Sequence, residues 1–174
     1  EEIQDLRALI SFLAEPSSNF WAAAFLRSGF SRLSDEAIRV LAPEIASAIT
    51  GNDEPINTEL LSIQDRERFQ LVRTGMSRWL KLVDWISPAE LVDRVLNESA
   101  YLFETRGPRS PQAQENLKKI RELLRRIQNR GYITLSRLAD HIDRLSMGGE
   151  SNAVIDATGA VHLMTVHAAK GLEF

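Results

Sequence analysis

The last residues of the chain, 161–174, combine side chains that could bind phosphate groups. They read V-H-L-M-T-V-H-A-A-K-G-L-E-F, an apolar run of strand character followed by a turn of small and polar residues. Thr165 offers a hydroxyl, His167 an imidazole and Lys170 an ammonium group, while Gly171 permits close approach of a backbone. A strand that delivers such groups to one turn is a common form of phosphate-binding edge. The stretch therefore predicts a site for a phosphate-bearing ligand.

A second candidate site is a run of cations on one predicted helix, which extends from Ser110 to Arg130. Its inner face carries Leu117, Ile120, Leu124 and Ile127. Its other surface carries the cations Lys118, Lys119, Arg121, Arg125, Arg126 and Arg130. Such a face could follow DNA phosphates. It could equally be a solvated surface whose positive charge is reduced by Glu115 and by ion pairs within the helix, such as Glu122 with Arg126. Both interpretations stay open.

Three tryptophans could stack on nucleobases. Trp21 and Trp79 fall on apolar stripes of predicted helices, which favours packing in a core. Trp85 falls off its stripe and is left undecided.

Other catalytic patterns are not present in these residues. The sequence has no G-x-x-x-x-G-K-[ST] loop and no G-x-G-x-x-G, and Lys170-Gly171 has the reverse order. We therefore expect that the chain does not hydrolyse ATP by itself. His141, between Asp140 and Asp143, is predicted to be a surface histidine rather than a metal ligand. No nucleophile-elbow sequence accompanies the serines, and no metal site is predicted.

Composition predicts a soluble globular protein of one domain, or one domain with a piece of another. The 174 residues are 44% hydrophobic and 26% charged, and no apolar run approaches the length of a membrane span. The absence of cysteine excludes disulfides and thiolate metal sites. A net charge of −3 argues against binding of nucleic acid by the surface as a whole. The same net charge still allows one local basic face. Because the chain begins within a helical pattern and ends at Leu-Glu-Phe, we expect it to be part of a longer protein.

The elements that must position these residues are predicted to be helices. Helix starts are indicated by caps at 17–19, Ser34, Ser87 (before Pro88) and Thr134. The longest predicted helix covers about 64–86, with the inward stripe Phe69, Val72, Met76, Trp79, Val83 and Ile86. After Gly148-Gly149 and a polar linker at 150–159, the periodicity becomes that of a strand. A lone strand cannot satisfy its own backbone. The fold class is therefore all-α, an orthogonal array of seven or eight helices with one C-terminal strand that belongs to another sheet.

Residues 164–174 closely resemble motif V of superfamily 1A DNA helicases of the UvrD/RecB/AddA type. Weaker similarities lie at 2–6, 13–16, 25–28, 33–36, 116–117 and 134–145. The resemblance implies that residues 1–16 are the last helix of the RecA-like motor domain 2A before an insertion. Residues 17–149 would be the helical 2B insertion, 150–159 a linker, and 160–174 the return strand and motif V of domain 2A.

The resemblance also implies roles for the terminal residues. Thr165 and His167, with Lys170 assigned beside them, would contact single-stranded DNA. Gly171 and Glu173 would lie at the nucleotide, with Glu173 near the ribose. The full-length protein would be an ATP-dependent 3′→5′ DNA helicase or translocase of repair or recombination in the bacterial cytoplasm, with or without a nuclease domain. It would use ATP and Mg²⁺, and no cofactor is expected on these residues alone.

Two hypotheses follow for the helical part. In the first, the helical part contacts duplex DNA ahead of the motor, or a partner subunit, and swings relative to the motor, and the basic 111–130 helix supplies the duplex contact. In the second, the helical part is a protein-interaction module whose basic face docks an acidic partner and never touches DNA.

Overall fold

The computed structural model describes residues 2–51, 58–99, 101, 110–129, 131 and 133–147. This part of the chain forms eight α-helices and one short 3₁₀ helix at Thr58–Leu60. The α-helices are α1 (Glu2–Ala14), α2 (Asn19–Arg27), α3 (Asp35–Leu41), α4 (Ile45–Thr50), α5 (Ile63–Leu80), α6 (Pro88–Glu98), α7 (Ser110–Asn129) and α8 (Leu135–Met147). The all-α prediction is confirmed for these ranges. The predicted linker and strand at 150–166 lie outside them.

Serine and threonine side chains begin several helices where the sequence predicts caps. Ser34 accepts from the backbone N–H of Ala37 at 3.1 Å, Ser87 from Glu90 at 3.3 Å, and Thr134 from Arg137 at 3.3 Å. Ser18 caps α2 by accepting from Trp21. Each cap satisfies one of the backbone donors that a helix start leaves without an internal partner. The local sequence therefore determines where these helices begin.

The predicted end of the longest helix is wrong. α5 stops at Leu80, residues 81–85 form a turn, and α7, with 20 residues, is longer than α5, with 18. Within the turn the N–H of Leu82 bonds the carbonyl of Trp79 at 3.0 Å, and Asp84 has a left-handed backbone (φ 65°). The apolar stripe continues through half-buried Val83 and Ile86, so hydrophobic periodicity carries no sign of this turn.

The core is organised around α1. Residues 8–13 are all buried, so this helix is covered around its whole circumference by α2, α7 and α8. Phe12 stacks on Phe25 of α2 with ring centroids 5.9 Å apart. The predicted domain boundary at residue 16 stays a prediction, but α1 lies inside the helical array rather than beside it.

Polar contacts fix α1 to distant parts of the chain. Arg7 donates from Nε and, at 3.2 Å, from Nη2 to Asp143 of α8. Asn116 of α7 donates to Glu2 at 3.0 Å, and the Tyr101 hydroxyl donates to Asp5 at 3.0 Å. Among the helices described, none combines the length and the hydropathy that a bilayer span requires.

Candidate nucleic-acid interface

The motif V residues lie outside the residues that the structure describes. Thr165, His167, Lys170, Gly171 and Glu173 all belong to the stretch after residue 147. Their assignment to single-stranded DNA and nucleotide therefore stays a prediction. The basic helix, α7, lies within the described residues.

α7 is seated by its apolar face on α6 and α1. Leu117, Ile120 and Leu124 are buried, as predicted, while Ile127 is half-buried. Because these residues recur every three to four positions, the opposite face of the helix is turned to solvent. Lys118, Lys119, Arg125 and Arg126 are exposed on it, and Arg130 lies outside the described residues.

One predicted cation, Arg121, is not on the exposed face. Its Nε lies 2.6 Å from Oδ1 of Asp93 on α6, and both side chains are largely covered. Arg125 reaches the other oxygen of the same carboxylate at 3.4 Å. Asp93 therefore bridges two arginines one helical turn apart and holds α7 against α6. Arg121 is a packing residue of this contact.

Sequence reasoning missed Asp93 because it lies on a different helix from the cations. The i,i+4 spacing of Arg121 and Arg125 indicates that one acid could serve both. Nothing in the sequence says which helix brings that acid. A charge count along α7 alone therefore overestimates the available cations.

Lys118 and Arg126 form weak, solvated pairs within α7. Lys118 pairs with Glu115, and Arg126 lies 3.7 Å from Glu122, the pair predicted from sequence. The Arg126 side chain is 74% exposed and that of Lys118 66%. Exposed pairs of this type contribute about 0–1 kcal/mol, so water or a phosphate can replace the carboxylate at small cost. Lys118 and Arg126 are thus available to an anionic partner, with exposed Lys119 and Arg125 beside them.

The three tryptophans have three different environments. Trp79 is buried and its Nε1 donates to Glu98 at 2.9 Å, which confirms the packing prediction. Trp21 is half-buried beneath Arg7, whose guanidinium carbon lies 5.1 Å from the ring centroid. Trp85, left undecided by the sequence, is 85% exposed in the turn between α5 and α6. Its place just before the Ser87-Pro88 helix start is a sequence signal for a turn.

His141 is half-buried on α8. No group of three or more histidine, aspartate or glutamate side chains that could hold a metal occurs within the ranges described.

Comparison with known proteins identifies the family. Residues 54–174 match the model of the UvrD-like helicase C-terminal domain. The chain is 27% identical over 175 aligned residues to an ATP-dependent helicase/nuclease subunit of Streptococcus equi subsp. zooepidemicus, covering 96% of the chain and 14% of that protein. It is 28% identical over 123 residues to DNA helicase II of Rickettsia typhi, covering 70% of the chain and 18% of the relative.

A third relative, an ATP-dependent helicase/nuclease subunit of Leuconostoc mesenteroides, is 33% identical over 116 residues, 64% of the chain and 9% of that protein. The chain thus spans less than a fifth of the length of these curated relatives. The family match covers well over half of the chain and includes the stretch that resembles motif V. This chain belongs to the UvrD-like helicase C-terminal domain family, of the UvrD/AddA type.

Proposed function

We propose that the chain is the helical part of an ATP-dependent 3′→5′ DNA helicase or translocase, and that α7 is its contact with duplex DNA. The observation that carries the DNA contact is the row of exposed cations Lys118, Arg125 and Arg126. The carboxylate partners of Lys118 and Arg126 are weakly held, so phosphates can replace them at little cost in free energy. The buried side of α7 holds the row in one orientation on the array.

The proposal assigns motif V to the motor of the full-length protein. Thr165, His167 and Lys170 would contact single-stranded DNA, and Gly171 and Glu173 the nucleotide. A hydroxyl, an imidazole and an ammonium group suit phosphate oxygens, and a carboxylate accepts from a ribose hydroxyl. One turn in contact with both ligands would couple ATP hydrolysis to strand movement. Unwinding of 3′-tailed but not 5′-tailed duplexes by the full-length protein supports the direction, and the reverse preference refutes it.

The ATP phosphates and Mg²⁺ would be held mainly by residues outside this chain, because its sequence contains no phosphate-binding loop of the Walker type, while Gly171 and Glu173 would complete the nucleotide site. The domain layout proposed is residues 1–16 and 160–174 in motor domain 2A and 17–149 in the insertion. One relative is named a helicase/nuclease subunit and another a DNA helicase. These names support a full-length helicase, either with or without a nuclease activity and a partner subunit.

The DNA contact is tested by neutralising two cations of the exposed row. We expect Lys118→Gln with Arg126→Gln to weaken binding of the chain to a blunt duplex roughly ten-fold at low salt. The slope of log K against log salt should fall by about 2, because each lost phosphate contact removes about one released counterion. Fluorescence anisotropy with a labelled duplex at four salt concentrations measures both quantities.

A matched control removes the same charge elsewhere. Arg39 on α3 is 74% exposed and pairs with Glu36 three residues away, and Arg27 on α2 is similarly exposed and pairs with Asp35. Arg27→Gln with Arg39→Gln should therefore leave the salt slope unchanged. If both double variants behave alike, α7 is not the DNA contact. Binding of an acidic partner protein that is lost only in the α7 variant would then support the protein-interaction module instead.

A further inference from the structure

The turn between α5 and α6 presents an aromatic side chain that the helical core does not use. Trp85 is 85% exposed, more than any other large apolar side chain in the described ranges. The turn is fixed at both ends, since Trp79 is buried in α5 and Ser87 caps α6. An exposed indole offers a large flat face for stacking, and ordering its side chain restricts only two torsion angles.

Trp85 stands at the mouth of a cavity of about 290 Å³ between the α5–α6 turn and the end of α7. Its lining combines the polar or aromatic residues Asp84, Trp85, Ser87, Gln128 and Thr134 with Gly131 and the apolar residues Ile86, Pro88, Leu91, Ile133 and Leu135. Gln128 lies one helical turn beyond Arg125, so the cavity lies at the end of the exposed cation row. A phosphate backbone that follows α7 would bring its sugars and bases to this opening.

The polar groups around the cavity include both acceptors and donors. Asp84 contributes a carboxylate. The Oε1 atom of Gln128 is buried and receives no hydrogen bond. The Ser87 and Thr134 hydroxyls accept from backbone N–H groups of their helices and keep their own hydrogens to donate. The terminal torsion of glutamine is soft, so the Gln128 amide can turn toward a ligand. A carboxylate repels phosphate, but it accepts well from an exocyclic amino group.

We propose that this cavity binds one unpaired, amino-bearing nucleobase, which stacks on Trp85 and donates to Asp84 and Gln128. Cytosine, adenine and guanine carry the required amino group, and thymine does not. The occupant is a base at the junction of duplex and single strand, because such a base reaches the indole without the cost of unpairing and with less cost of unstacking. This base site rests on the proposed contact of α7 with duplex DNA. It would add recognition of the unpaired base at the end of that duplex.

The test compares a blunt duplex with the same duplex that carries one unpaired 3′ cytosine or one unpaired 3′ thymine. We expect the chain to bind the cytosine overhang roughly ten-fold more tightly than the blunt duplex, and thymine less tightly than cytosine. Trp85→Ala should abolish the gain, while Trp85→Phe should retain most of it. Gln128→Leu should reduce the preference for cytosine. Quenching of tryptophan fluorescence should accompany overhang binding and be lost in Trp85→Phe.

Phe20 supplies the matched control, because it is an exposed aromatic (70%) on α2. Phe20→Ala should leave the overhang gain intact. If Trp85→Ala keeps the gain, or weakens blunt and overhang duplexes equally, the base site is wrong, whatever α7 does. If Lys118→Gln with Arg126→Gln leaves blunt-duplex binding unchanged, the proposed function fails, and the overhang gain still tests Trp85 separately.

Discussion

Asp65 is a buried carboxylate that joins the starts of two helices. It accepts from the backbone N–H of Ser34 at 3.1 Å, from the Ser34 hydroxyl at 2.9 Å and from the Ser62 hydroxyl at 2.8 Å. Ser34 caps α3 and Ser62 caps α5, so one side chain ties both caps together. Burial raises the pKa of Asp65, but these hydrogen bonds and the nearby Arg68 guanidinium outweigh burial and hold the pKa below its ordinary value.

The lowered pKa predicts how stability depends on pH. A carboxylate with a depressed folded-state pKa contributes stability above its unfolded pKa, about 3.9, and loses it as pH falls through the folded value. Asp65→Asn should therefore lower the free energy of unfolding by about 1–3 kcal/mol at pH 7, and the deficit should narrow below about pH 4. Urea denaturation at pH 7 and at pH 3.5 measures both values.

Asp35 is the control for this prediction, since it is an exposed acid in the first turn of α3. Asp35→Asn should change stability by no more than about 0.5 kcal/mol at either pH. A deficit of Asp65→Asn that is the same at both pH values would show that its ionised form is not what stabilises the two caps.

At the scale of elements, α5 and α6 are joined by Trp79. Its indole Nε1 donates to Glu98 at the end of α6, and Glu98 also lies 3.3 Å from Arg78. The ring lies over Gly75, where an added Cβ would stand 3.0 Å from Cζ2 and Cη2 of the indole. A glycine in mid-helix costs about 1 kcal/mol relative to alanine. Here it makes room for the ring that connects the two helices.

Gly75→Ala should therefore not stabilise the chain, although at an open helix position it would add about 1 kcal/mol. The indole is buried and tied to Glu98, so it cannot retreat without loss of that bond. In a Trp79→Phe background, which lacks the two crowded ring atoms, the same Gly75→Ala change should become stabilising. A double-mutant cycle in urea should give a coupling of about 1 kcal/mol or more. Simple additivity of the two changes would contradict the crowding.

The sequence predicts these elements unevenly, for physical reasons. Helix starts are local: Ser34, Ser87 and Thr134 act within three residues of their own position, so their caps could be predicted directly. The end of α5 is not local, because Val83 and Ile86 continue the apolar stripe while the backbone already turns at Asp84.

The same distinction applies to the candidate site. The cations of α7 and their pairs with Glu115 and Glu122 follow from spacing along one helix. The ion pair that removes Arg121 from the exposed face and the cavity beside Trp85 both depend on how α7 packs against α6 and against the turn between α5 and α6. Such contacts between helices are set by the packing of the whole array, which hydrophobic periodicity does not specify.

At the scale of the whole molecule, α1 connects both ends of the described chain. Its residues 8–13 are buried on all sides, and Arg7 bonds Asp143, 136 residues away. Under the proposed function, α1 leads from the motor domain into the insertion. A swing of the helical part about residue 16 would pull α1 out of its own core. We therefore expect α1, although the proposed layout assigns it to motor domain 2A, to move with the array, so that the joint does not lie at residue 16.

A truncation at the predicted boundary tests this inference. Leu6, Leu9, Ile10, Phe12 and Leu13 are fully or nearly fully buried, and burial of each contributes about 1.5–3 kcal/mol. Their combined loss, about 7–15 kcal/mol, equals the whole stability of an ordinary domain. Residues 17–149 should therefore show no cooperative thermal transition and should bind a hydrophobic dye, whereas residues 1–149 should melt cooperatively. If both fragments melt cooperatively and have the same near-ultraviolet circular dichroism, α1 lies outside the folding unit and the joint lies at residue 16.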